Sequence, residues 1–180
     1  MIYKALLFCL LFFNGASNDE VTISWTDDYK LTWDDFKGPI KPNTAAAAIT
    51  ASGITFGYSV KTSNGKIVSF NPSVEAHFYP EKSWYIKEKG NARLLAHEQL
   101  HFDITELHVR KFRAEISKLS ITQNLRNELS RLHQRINDEL AIMQSQYDSQ
   151  TDNSINVKVQ EQWEYLVAKA LKEFEAYKSE

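Results

Sequence analysis

The sequence predicts an α+β fold: a small, mostly antiparallel sheet drawn from residues 21–85, followed by three helices. Three observations carry this. Apolar residues alternate with small or polar ones between residues 46 and 79, which is strand periodicity. Asn64-Gly65 sits between two such runs, and this pair tolerates the positive φ angles of a tight hairpin turn. From residue 92 onward apolar residues recur at spacings of three and four, in three stretches parted by short polar breaks.

Taken in order, Val21 to Trp25 alternates as a short strand and Asp27-Asp28 turns it. Trp33 and Phe36, three apart and closed by Gly38-Pro39, suit a single helical turn whose aromatics plug one end of the core. Ile54, Phe56, Tyr58 and Val60 then share one strand face, with Gly53, Thr55, Gly57 and Ser59 on the other. Ile67 to Phe70 returns as the partner, with Asn71-Pro72 expected to stop it. A further strand, Val74 to Tyr79, ends at Pro80 and puts His77 on its more polar face. The first helix should cover roughly residues 92–119, with Leu95, Phe102, Val109 and Ile116 seven apart along its apolar stripe. Glu106 and Arg110 project to its far side as an i,i+4 pair. A second helix carries Leu125, Leu129, Leu132, Ile136, Leu140, Met143 and Tyr147, and the short connection folds it back antiparallel. Residues 147–154 read as a polar break. A third helix follows, with Val159, Trp163, Leu166, Val167, Ala170, Phe174 and Tyr177 inward.

Residues 1–17 read as a secretory signal peptide: Lys4 in the n-region, Ala5 to Phe13 apolar, then Gly15-Ala16-Ser17 for cleavage. The apolar run falls far short of the ~20 residues that span a bilayer, so no stable membrane anchor is expected. Residues 18–180 then form one domain, exported to the periplasm or beyond the cell. Cys9 lies inside the leader, so the mature chain would lack disulfides. The formal charge is −2, becoming −3 once Lys4 is removed, and no basic block appears, which argues against a nucleic-acid partner.

The chemistry concentrates in Leu94 to Phe102, which contains His97-Glu98-Gln99-Leu100-His101. On a helix, residues i and i+4 lie about 40° apart on one face, so two imidazoles can reach one ion. This is the HExxH spacing that binds zinc, with Glu98 as general base. Both histidines fall on the border of the apolar stripe, where a cleft would open. His108 is about 10 Å further along the axis and cannot join them on an unbroken helix. A catalytic zinc takes three protein ligands, so the third must come from elsewhere. Glu139 and Asp148, both on the returning helix, are level candidates for it. Tyr147 and His77 are weaker candidates for stabilising an oxyanion.

The segments at 31–38 (LTWDDFKG), Ser83-Trp84, 94–110 (LLAHEQLHFDITELHVR), Tyr147-Asp148 with Thr151, and Gln162-Trp163 together resemble a family of bacterial secreted proteins described as predicted zinc-dependent proteases and catalogued as a domain of unknown function. The resemblance spans nearly all the mature chain. It implies zinc at His97 and His101 and a catalytic role for Glu98. One departure is Asn153, which stands where the pattern often carries a histidine. The expected function is an exported zinc metallopeptidase of zincin type acting on a peptide or protein. The alternative is a non-catalytic exported binding or envelope-assembly protein on the same scaffold.

Overall fold

The computed structural model describes residues 20–42 and 44–179, so the signal-peptide reading of residues 1–17 lies outside the described residues. The architecture is α+β, as expected. β1 (Ile23–Ser24), β3 (Ser52–Ser63) and β4 (Lys66–Phe78) form one antiparallel sheet in the order β1-β4-β3, while β2 (Ala48–Ile49) and β5 (Trp84–Tyr85) pair separately. Helices α1 (Ala92–Ile116), α2 (Leu125–Thr151) and α3 (Val157–Glu173) follow. None of the described helices is long and apolar enough to cross a membrane.

The β3–β4 hairpin turns at Asn64 (φ 49) and Gly65 (φ 73), both in the left-handed region that the Asn-Gly pair accommodates. One expectation needs correcting: Asn71-Pro72 does not end a strand. β4 runs unbroken through it, with Pro72 opposite Tyr58. β1 pairs with β4 at His77 and Phe78, so among the described residues no strand covers the other edge of β4 at Pro72, and a residue without an N–H is tolerated there. The aromatic turn forms over Trp33–Asp35; Trp33 stacks on Tyr85 (centroids 4.3 Å) and Phe36 meets Phe78 edge-on (5.2 Å). Gly38 allows this closure, because a Cβ there would lie 2.7 Å from the Glu81 carbonyl oxygen and 2.9 Å from that of Ser83.

Two apolar clusters flank α1. Val74, Ala76 and Phe78 of β4 pack with Phe102, Val109, Phe112 and Ile116 of α1 and with Leu125, Leu129, Leu132 and Ile136 of α2. Leu100 and Ile104 of α1 pack with Leu140 and Tyr147 of α2 and with Trp163 and Val167 of α3. Each such side chain contributes roughly 1.5–3 kcal/mol by burial. Rotating α1 would expose several at once, so the packing fixes which face His97 and His101 present. On α3, Leu166 faces solvent at 55 % exposure instead of inward.

The Glu106–Arg110 pair is not on an open face. Glu106 is 0 % and Arg110 1 % exposed, because Trp25 and the C-terminal residues close over them. Arg110 donates to Glu106 (2.9 Å), to the Leu171 carbonyl (2.7 Å) and to Glu175 (3.0 Å). Ser179 donates to Glu106 through both its backbone N–H (3.0 Å) and its hydroxyl (2.8 Å). Arg110→Met should therefore leave the buried Glu106 carboxylate with its Ser179 bonds but no counter-charge and destabilise the fold by about 3–5 kcal/mol, read as a lower midpoint in urea. An exposed pair would shift it by less than ~1 kcal/mol.

Candidate metal centre

Asn91 caps α1, its side-chain oxygen accepting from the Leu94 N–H at 3.0 Å. His97 and Glu98 follow near the second turn, 2 % and 3 % exposed, with His101 one turn on. α2 packs back against α1 and does not break at Tyr147. It continues to Thr151, where Asp152 takes a left-handed conformation (φ 49) and closes it. The extra turn keeps Asp148 on the helix and aims it at the histidines.

Asp148 Oδ1 lies 3.1 Å from His97 Nε2 and 2.8 Å from His101 Nε2, and the two Nε2 atoms are 3.2 Å apart. Ligands about 2.1 Å from an ion at tetrahedral angles sit about 3.4 Å from one another. The three atoms thus already occupy nearly the corners such an ion requires, and His97, His101 and Asp148 could hold a metal ion. Burial opposes a charge on His101, yet the hydrogen bond and charge of Asp148, with further help from Glu98 and Gln144, raise its pKa to about 9. Burial likewise pushes the Asp148 carboxyl up, but hydrogen bonds from His101 and His97 and their charges hold it well below the usual carboxylate range.

Other polar groups frame the three. His97 Nδ1 is 3.1 Å from Gln160 Oε1, and His101 Nδ1 makes a short hydrogen bond to Gln144 Oε1. The Tyr147 ring stacks on His97 (centroids 4.4 Å) and its hydroxyl donates to Gln160 Oε1 at 2.7 Å. Burial pushes the Tyr147 phenol far above its normal range, so it remains a donor. The Glu98 backbone carbonyl accepts from the Thr50 hydroxyl (3.1 Å), whereas no described side chain donates to its carboxylate.

The remaining sequence candidates lie elsewhere. Glu139 does not reach the histidines: it pairs with Arg135 (3.0 Å) on an exposed flank of α2. Nine residues separate it from Asp148, which is two and a half helical turns, so the two carboxylates point about 180° apart. Tyr147 spends its hydroxyl on Gln160, and His77 lies on the sheet between Thr55 (2.8 Å) and Glu75 (3.1 Å). Neither is placed to stabilise an oxyanion at the histidines. Asn153 is an exposed residue of the turn after α2, its N–H donating to the Asp148 carbonyl at 3.0 Å. Gln144 and Gln160 went unnoticed in the sequence. Gln144 stands one turn before Asp148 and Gln160 three residues before Trp163, and an uncharged amide at each apolar border was the available signal.

His108 stays apart, as the helix rise requires: it is 1 % exposed, with Nδ1 2.8 Å from the Ile104 carbonyl. Burial lowers its pKa to about 4; the Ile104 carbonyl and Glu139 oppose this and Lys111 adds to it. The unfolded chain takes up this proton below about 6.5 and the folded one only below about 4. Stability is therefore full above pH 6.5 and falls by up to about 3 kcal/mol as pH drops to 4. His108→Gln should flatten that slope in urea melts run between pH 4 and 7.

Fold and donor set together define a class: an α+β domain whose antiparallel helices bring two imidazoles and a carboxylate to one point that could hold a metal ion. The family model for a bacterial protein of unknown function (DUF922) matches residues 32–154. The chain belongs to that family, and the match takes in His97, Glu98, His101 and Asp148. No curated protein and no solved structure matches the chain.

Proposed function

We propose that the protein is an exported zinc-dependent metallopeptidase in which His97, His101 and Asp148 hold zinc and Glu98 is the general base. The observation that carries this reading is the convergence of two Nε2 atoms and one carboxylate oxygen from two helices. Two imidazoles and a carboxylate suit zinc, and three protein ligands leave the open fourth position of a catalytic site where structural sites fill all four. Zinc held there would acidify a water and polarise a substrate carbonyl. Glu98 follows His97 on α1, its charge acts on His101, and no described side chain donates to its carboxylate. It would take the proton of the attacking water and return it to the departing amine. The Gln160 and Gln144 bonds hold both rings while this happens.

The sheet supports a peptide as substrate. β3 is the outer strand of its sheet. Thr50 bonds to the Glu98 carbonyl (3.1 Å), and Ser52, at the head of β3, bonds to Thr105 of the metal helix (2.7 Å). An extended chain can add to such an edge through main-chain hydrogen bonds, which would carry a peptide bond past Glu98.

Metal analysis of protein purified without added zinc, paired with cleavage of a quenched peptide library, tests the reading. About one zinc per chain is expected, with activity lost to a chelator and restored by zinc. Failure to take up zinc at saturating concentration would sink the reading. Sequencing the N-terminus of exported protein checks cleavage after Ser17.

A further inference from the structure

Two glutamines, one from each of the other helices, sit behind the two histidines. His97 Nδ1 meets Gln160 Oε1 at 3.1 Å, and His101 Nδ1 meets Gln144 Oε1. An amide can flip end for end, and in the flipped state it would offer an N–H where an acceptor is needed. Both amides are held against this. Gln160 Nε2 donates to Glu164 (3.0 Å) while its oxygen also accepts the Tyr147 hydroxyl (2.7 Å). Gln144 Nε2 donates to the His101 carbonyl (2.9 Å) and to the Thr105 hydroxyl (3.4 Å). The oxygen of each therefore faces an imidazole Nδ1, which must then carry the proton.

We propose that Gln144 and Gln160 are positioning residues that keep a proton on Nδ1 of both histidines, so that Nε2 is the nitrogen each offers to the metal. Glu164 and the His101 carbonyl set the two amides in turn. This rests on the metal-site reading and adds to it the groups that select which ring nitrogen binds. Acceptors behind ligating imidazoles orient the ring and raise its basicity, and losing one typically costs about 10- to 100-fold in metal affinity. Gln160 is 3 % exposed, so its bonds face little competition from water.

The test measures zinc dissociation constants on the whole protein by competition with a chromophoric chelator, alongside urea melts of each metal-free variant. Gln160→Met and Gln144→Met remove one acceptor each and should weaken zinc about 10- to 100-fold. The double variant Gln160→Glu with Glu164→Gln reverses the amide–carboxylate pair and keeps an acceptor on His97 Nδ1. It should regain most of the lost affinity, which a packing role alone would not predict. In the zinc-loaded wild type, the imidazole nitrogen-15 spectrum should show a protonated Nδ1 on both histidines. Gln144→Met guards against a Gln160 variant that fails to fold, since Gln144 is only half-buried. Wild type binding zinc with both Met variants equally tight, or with Nδ1 unprotonated, overturns this inference and leaves the metal site standing. Wild type that binds no zinc overturns both.

Discussion

Glu98→Gln should leave zinc stoichiometry at one per chain while peptide cleavage falls by a factor of about 10² to 10⁴, the usual worth of a positioned general base. The two readouts part because Glu98 is not among the three converging donor atoms. Glu98 as a residue is 3 % exposed, and no described side chain donates to its carboxylate. Glutamine keeps the size and shape of the side chain, so the stability of the metal-free protein in urea melts should move by less than about 1 kcal/mol. Full activity in Glu98→Gln would remove the base from the mechanism. Loss of both zinc and activity would instead mean that Glu98 shapes the site and does not act in it.

How far the sequence disclosed this site follows from where each part of it is encoded. His97 and His101 are one helical turn apart, so their convergence is local and needs only that α1 form. The apolar stripe from Leu95 to Ile116 secures that. The third carboxylate is a tertiary fact. It depends on where α2 ends and which way it faces, and both were obscured. Residues 147–154 contain enough turn formers to suggest a break, whereas the bonds of Thr151 and the left-handed cap at Asp152 carry the helix one turn past Tyr147. The facing was within reach. Placing α2 on the same helical projection as α1 sets Asp148 and Gln144 on one border of its apolar stripe and Glu139 on the other, so the two carboxylates were never interchangeable. The buried Glu106–Arg110 pair was hidden for a different reason: the groups that cover it arrive from Trp25 and Ser179, at the two ends of the described chain. Likewise, Pro72 inside β4 could be placed only once β1 was seen to stop short of it.

Asp148→Asn should cost more than about a hundredfold in zinc affinity, beyond what a group behind a ligand typically contributes, while Glu139→Gln should leave affinity unchanged. Asparagine keeps the size of the side chain and one oxygen but gives up the charge. Zinc binding would then lack the one carboxylate that, among the described residues, converges with the two histidines. Glu139 is held by Arg135 across an exposed turn, so its neutralisation should shift stability by less than ~1 kcal/mol. Titration of both variants against the same chelator makes the comparison internal. The reverse outcome would require α2 to turn by half a revolution. That would carry Ile136, Leu140 and Tyr147, now buried, out into water. Three large side chains at roughly 1.5–3 kcal/mol each oppose such a rotation, and no ion pair on that flank could offset them.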